Sequence, residues 1–167
     1  MLNKEIESIG VAIDLAFDNN EFVKLKQLLV DCDSLADKET SENRSVIYFH
    51  KANCYAALRI IEQKGVDDTW SWHQERRISE VLNLRKAVAE TGFDQVNEVV
   101  KCKILTNIAS GLSSLGRVIE SISYYNKALS YIDNFAMAIG NKAIAQVHYG
   151  QHLYDHGHSG IFFFHAH

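Results

Sequence analysis

Histidines crowd the C-terminal end of this chain and are its first candidates for chemistry. Six of the eight histidines lie at or beyond position 148. If a helix continues past Gly150, then His148, His152 and His156 lie four residues apart on one helical face, a spacing that Zn²⁺ or Ni²⁺ could use. No HExxH motif is present, and glycines interrupt the helical pattern close to these histidines. Three interpretations of these histidines stay open: a physiological metal site, adventitious metal binding, and ordinary surface residues. The sequence favours ordinary surface residues.

A second candidate is the pair Arg44 and His50 near the start of a predicted helix. Their Arg-x5-His spacing resembles the catalytic motif of HEPN-type ribonucleases. In that family a helical arginine and histidine act on the RNA backbone without a metal ion. The pattern is short and arises by chance in many helical proteins, so a metal-independent ribonuclease is kept only as an alternative.

No other part of the sequence supports an enzyme. Leu115, Gly116 and Arg117 form a turn between helices, which differs from the GxxxxGK phosphate loop. The three cysteines are far apart and lack metal-ligand spacing, so we expect small, reduced core residues. We therefore expect no catalytic residues and no cofactor.

Composition favours an all-α protein. The 167 residues contain no proline and only 9 glycines, so almost the whole chain is free to be helical. The net charge of −4, without a cluster of lysines and arginines, predicts no direct binding of nucleic acid. No apolar run is long enough for a membrane span, and the N-terminus lacks the order of a signal peptide. We expect a cytoplasmic protein that is not bound to a membrane.

Apolar residues recur at helical spacing along most of the chain. The pattern predicts helices over residues 3–18, 21–36, 44–63 and 76–90. Residues 18–20 predict a turn, because Asn and Asp bond their own backbone and tolerate the left-handed conformation. Residues 93–100 are expected to extend the front of the next helix, after a stop at Thr91 and Gly92.

The stretch 101–150 nearly repeats itself with a period of 34 residues. Asn107 recurs as Asn141, Ala109 as Ala143 and Gly116 as Gly150. A helix–turn–helix period of 34 residues is typical of tetratricopeptide repeats (TPRs). This stretch resembles that family in the following positions: Ala109, Gly116, Ile122, Tyr125, Ala128 and Leu129. It departs from the family's pattern at Leu105, Ser121 and Asp133. The resemblance implies a TPR-like α-solenoid of stacked antiparallel helical hairpins.

That architecture predicts a single helical-repeat domain over residues 1–167. Residues 1–38 are a degenerate first hairpin or cap, and residues 44–91 are a repeat with a loop inserted at 64–75. Residues 101–134 match the family best, and residues 136–167 are an incomplete last repeat. The inserted loop holds Trp70 and Trp72, the only tryptophans. They either clamp the loop onto the domain or contact a partner, because exposed tryptophan is enriched at binding hot spots.

TPR domains usually bind partners in a groove lined by the first helix of each repeat. By repeat phase, the predicted groove residues are His50, Asn53, Lys103, Asn107, Ser110, Asn141 and His148. In the family, an asparagine at the position of Asn107 and Asn141 commonly binds the backbone of an extended peptide. An amide offers both a donor and an acceptor, so it can pair with a main chain of any sequence. We expect a protein or peptide partner.

The run from Leu105 to Gly150, with the LYDHGH segment after it, also resembles the repeats that precede a C-terminal HEPN domain in bacterial proteins. That resemblance implies a regulatory role for this chain in a toxin or phage-defence system. The apolar run 161–164 has no sequence after it to bury against, which predicts a fragment of a longer protein and self-association through this end.

Overall fold

The computed structural model describes residues 4–64 and 74–155. Helices account for all the regular structure in these two ranges, which confirms the all-α prediction. The helices are α1 (Lys4–Asp18), α2 (Phe22–Ala36), α3 (Ser41–Glu62), α4 (Glu75–Ala89), a 3₁₀ helix (Phe93–Gln95), α5 (Glu98–Ser114), α6 (Val118–Leu129) and α7 (Ala136–Asp155). None of these helices is both long and apolar enough to cross a membrane.

Two of the turns follow directly from residue type. Asn20 has a φ of 56°, and Gly116 has a φ of +78°. Asparagine and glycine are the residues that tolerate this left-handed region at the lowest energetic cost. Both positions lie where the sequence predicts one helix to end and the next to begin.

The chain divides into two compact units, Met1–Asn97 and Glu98–His167. In the first unit α3 is central, because it contacts α1, α2 and α4. Its buried face meets the apolar faces of α1 and α2 in one cluster. The cluster consists of Ile13, Ala16, Leu25, Leu28, Cys54, Ala57 and Leu58. Ala52, a small residue of α3, is also buried.

The beginning of α3 is bound to the end of α4. Arg44 Nη2 donates to Glu90 Oε2 at 2.9 Å, and Ser41 Oγ donates to the same oxygen at 2.6 Å. The backbone N–H of Gly92 donates to Ser41 Oγ at 3.0 Å. A Cβ atom at Gly92 would lie 2.2 Å from the backbone nitrogen of Glu42. Glycine is therefore required for this close approach of two backbones.

The segment after α4 differs from its prediction. Residues 93–100 were expected to extend the next helix, but only a 3₁₀ helix at Phe93–Gln95 forms before α5 begins at Glu98. Val96 has extended backbone angles, φ −65° and ψ 145°, which end the helical path. Phe93 and Val96 are both buried, so burial of these two side chains accompanies the break.

In the second unit, α6 contacts both α5 and α7, and α5 also contacts α7. Ala109 is fully buried in α5, as are Tyr125 and Ala128 in α6. In α7 the buried residues are Ala138 and Ala145. The repeat-equivalent of Ala109, Ala143, is exposed. The same 34-residue pattern therefore has its small residue buried in α5 and open to solvent in α7.

Candidate functional site

The polar face of α5 contributes the first half of a candidate binding site. Lys103, Asn107 and Ser110 are separated by four and then three residues, so they lie on one face of the helix. Lys103 is exposed, and Asn107 and Ser110 are half-buried. Asn107 makes no side-chain hydrogen bond to any residue in 4–64 or 74–155. Its amide is therefore available to a ligand.

The second half comes from α7, which contacts α5. Asn141 and His148 are seven residues apart and share a face of α7. Asn141 Nδ2 donates to Ser110 Oγ at 3.2 Å. The Ser110 hydroxyl in turn shares a hydrogen bond with the Tyr125 hydroxyl over 3.1 Å, in which either oxygen can donate. A chain of three polar groups thus joins α7, α5 and α6.

Tyr125 anchors this chain in the core. Its side chain is 1% exposed, and its hydroxyl reaches Ser110. Burial raises the pKa of the Tyr125 hydroxyl, while the hydrogen bond from Ser110 opposes part of that rise. The phenol therefore stays protonated at neutral pH and serves as a fixed hydrogen-bonding group.

These groups line an open depression of about 440 Å³. Its lining residues are Ser110, Ser113, Ser114, Tyr125, Asn141, Ile144 and His148. Six of these seven side chains carry a hydroxyl, amide or imidazole group, and this lining contains no carboxylate, lysine or arginine. Such a surface offers donors and acceptors without a strong field, which suits neutral polar groups such as peptide amides.

Only one of the two polar atoms of the Asn141 amide makes a hydrogen bond within the described residues. Its Nδ2 binds Ser110, whereas its Oδ1 makes no hydrogen bond to another described residue. The bond to Ser110 therefore fixes the amide and leaves a carbonyl oxygen as an acceptor. An N–H of an extended main chain is a suitable donor for that oxygen.

The structure brings together part of the predicted groove. Ser110, Asn141 and His148 line the same depression, while Lys103 and Asn107 lie along α5 without lining it. His50 and Asn53 belong to α3 in the first unit. The sequence prediction missed Ser113, Ser114 and Ile144, and it named Tyr125 only as a position that resembles the repeat family. The recurrence of serine at 110, 113 and 114 was the one available signal for this polar face.

The His50 side chain packs against a neighbouring helix of the first unit. Its ring packs against α1 so closely that a Cβ at Gly10 would lie 2.6 Å from His50 Cε1. Burial lowers the pKa of His50 from its ordinary 6.5 to about 4. The imidazole is therefore neutral at pH 7 and fills the space that Gly10 leaves.

Arg44 is also engaged within the fold. Besides Glu90, its guanidinium binds the backbone carbonyl of Glu39 at 3.1 Å through Nη1. Residues six apart on a helix are separated by about 240° around its axis, so Arg44 and His50 do not face each other. The ribonuclease alternative, whose motif has this same spacing, stays a prediction.

The histidine and tryptophan predictions fall partly outside the described residues. His148 and His152 are exposed on α7, four residues apart, whereas His156 lies outside the described ranges. Within 4–64 and 74–155, no group of three or more His, Cys, Asp or Glu side chains could hold a metal ion. Two histidines supply half the protein ligands of a structural zinc site. Trp70 and Trp72 also lie outside the described residues.

Comparison with known proteins adds no relationship. No protein-family model, curated protein or solved structure matches this chain.

Proposed function

We propose that this chain is a protein-interaction module of TPR type, with stacked helical hairpins, and that its second unit binds an extended peptide. The observation that carries the proposal is the fixed amide of Asn141, which is held by Ser110 beside an open polar depression. The repeat-equivalent Asn107 adds a second half-buried amide on the neighbouring helix. Two amides at equivalent positions of adjacent repeats would bind a peptide main chain at two points.

Main-chain recognition explains the chemistry of the site. The Asn141 Oδ1 would accept from a peptide N–H, and the Asn107 amide would both donate and accept. The hydroxyl of Ser113 would supply a further bond, and that of Ser114, which donates to the carbonyl of Ser110 at 3.0 Å, would accept one. Because these contacts involve no side chain of the peptide, the site would accept many sequences, and the apolar side chain of Ile144 would add the local preference.

The size of the effect follows from ordinary hydrogen-bond energies. Each amide–peptide bond contributes about 1 kcal/mol net, so losing both would weaken the affinity roughly 30-fold. This is enough to remove a partner of micromolar affinity from an affinity capture. In a longer parent protein with a HEPN domain, such a module would be the regulatory part.

The proposal is tested by affinity capture from cell lysate with the full chain as bait. Three baits are compared by mass spectrometry: the wild type, Asn107→Ala/Asn141→Ala, and the control Asn126→Ala/Asn134→Ala. The control removes two exposed asparagines of the same unit that lie outside the depression. We expect a partner that the wild type and the control retain and the first variant loses. Equal capture by all three baits would place the binding surface elsewhere.

A further inference from the structure

Two cysteines of the first unit lie side by side in its core. Cys32 lies one turn before the end of α2, and Cys54 belongs to α3, the helix against which α2 packs. Both side chains are 0% exposed. Their thiols are joined by a hydrogen bond, so the two sulfur atoms are in contact across the helix pair. Two thiols in contact are the reactants from which a disulfide forms, which a lone buried cysteine is not.

The two thiols differ in how readily they ionise. The hydrogen bond with Cys54 lowers the pKa of Cys32, and the Lys51 ammonium lowers it as well. Burial and the nearby carboxylates of Asp33 and Asp31 oppose this shift without reversing it. The same hydrogen bond, and then burial, raise the pKa of Cys54, so Cys54 donates the bond and Cys32 accepts it. Because the thiolate is the nucleophilic form of cysteine, Cys32 is the thiol of this pair that attacks an oxidant.

The position of Cys32 in α2 gives its sulfur a route to solvent. Lys51 binds Asp33, the residue that follows Cys32, and the Asp33 side chain is 60% exposed. The protein surface is therefore one residue away from the buried sulfur. The helix α2 ends at Ala36, and the last turn of a helix opens locally with a much smaller free energy than global unfolding. Opening of this turn exposes the Cys32 sulfur while the rest of the unit stays folded.

We infer that Cys32 and Cys54 form a redox-active pair, which a hydroperoxide converts into an intramolecular disulfide. The Cys32 thiolate attacks one oxygen of the hydroperoxide, so that an S–O bond forms and the O–O bond breaks, and the leaving oxygen takes up the proton that Cys32 had lost. The Cys54 sulfur then attacks the sulfur of this sulfenic acid. The S–S bond forms, the S–O bond breaks, and hydroxide leaves as water with the proton of Cys54. The two thiols together lose two electrons, which reduce the O–O bond.

The third cysteine provides a comparison within the same chain. Cys102 in α5 is also 0% exposed, but its Sγ donates to the backbone carbonyl of Ala128 at 3.3 Å. Burial raises the pKa of its thiol. Cys102 is thus as buried as the pair but has a carbonyl where each member of the pair has a second thiol. It should stay reduced under conditions that oxidise Cys32 and Cys54.

A disulfide at this position joins α2 to the central helix of the first unit. It closes the chain from Cys32 to Cys54 into a loop, which restricts the unfolded chain and therefore favours the folded one. We expect the thermal midpoint of the oxidised protein to lie roughly 5–15 °C above that of the reduced protein, and dithiothreitol to reverse the change. The pair is independent of the proposed peptide site, since Asn107 and Asn141 belong to the second unit.

The test exposes the reduced full chain to hydrogen peroxide under native conditions and measures its intact mass and its tryptic map without reductant. The wild type is compared with Cys54→Ala and with the control Cys102→Ala. We expect the wild type and the control each to lose two hydrogen atoms, and their maps to join the peptides of residues 27–38 and 52–59, which contain Cys32 and Cys54. Cys54→Ala should instead gain oxygen at Cys32, because its sulfenic acid has no second thiol to attack it.

Three results would overturn the inference. The first is an unchanged mass of the wild type after a peroxide exposure that oxidises free cysteine. The second is a disulfide that forms only at urea concentrations that unfold the protein, because the folded pair would then be unreactive. The third is a disulfide that includes Cys102 or joins two chains. The wild type alone decides these three outcomes, so they do not depend on whether Cys54→Ala folds.

Discussion

Acid should destabilise the first unit through His50. The ring of His50 is packed between α3 and α1, against Gly10, and burial lowers its pKa from 6.5 to about 4. In the unfolded chain the imidazole has its ordinary pKa. The difference of roughly 2.5 pKa units corresponds to about 3 kcal/mol of differential stability, at about 1.4 kcal/mol per unit.

The direction follows from which state binds the proton. Above pH 6.5 the imidazole is neutral in both states, so His50 adds no pH dependence. Between pH 6.5 and about 4 the unfolded state binds a proton that the folded state excludes, and the free energy of unfolding falls by up to about 3 kcal/mol. Below pH 4 both states are protonated, and His50 contributes no further loss.

The assay is urea unfolding of the wild type and of His50→Leu at pH 7 and at pH 4.5, followed by circular dichroism. Acid also weakens two ion pairs, Glu62 with Arg76 and Glu90 with Arg44. In each pair the guanidinium group holds the pKa of the carboxyl below its ordinary range, so the pair is lost when the carboxyl is protonated. Those losses are common to both proteins and cancel in the comparison. We expect the wild type to lose about 2 kcal/mol more than His50→Leu between the two pH values. An equal loss in both proteins would refute the assignment of His50 as a half-buried neutral group.

Three further substitutions concern stability and use the same urea assay at pH 7. Gly92→Ala should lower the free energy of unfolding by about 1–3 kcal/mol, because its Cβ would overlap the backbone of Glu42. The matched change Gly140→Ala should raise it by about 0.5–1 kcal/mol, and a loss at Gly140 as large as at Gly92 would contradict the geometry. Glu90→Gln should cost about 1 kcal/mol, because it removes the charge that Arg44 and Ser41 bind while keeping the side-chain shape. A neutral result would show that solvent already screens this contact.

The helices could be predicted because their signals are local. Apolar spacing placed α1 and α2 to within a residue or two, and the residue types at Asn20 and Gly116 predicted the left-handed turns. Ala109, one of the positions that resemble the repeat family, is fully buried. These properties depend on residues only a few positions away in the sequence, or on the residue one repeat of 34 positions away.

Contacts between distant residues could not be predicted. The hydrogen bond from Asn141 to Ser110 crosses 31 positions, and the pair Arg44–Glu90 crosses 46. The sequence placed His50 in a groove, but nothing local indicates that its ring meets Gly10. Likewise, repeat phase predicts equivalent positions for Ala109 and Ala143, yet their exposure depends on which helix covers each face.

The central claim is that Asn141 binds the main chain of a peptide, and backbone N-methylation tests it most directly. A peptide that binds the wild type is selected by phage display, and single N-methyl groups are then introduced along it. At one position N-methylation should weaken binding to the wild type about fivefold to tenfold, because it removes the N–H that Asn141 Oδ1 accepts. The same N-methyl group should have little effect on binding to Asn141→Ala, which gives a coupling energy of about 1 kcal/mol. If every N-methylated peptide weakens equally with the wild type and with Asn141→Ala, the peptide does not bind through this amide.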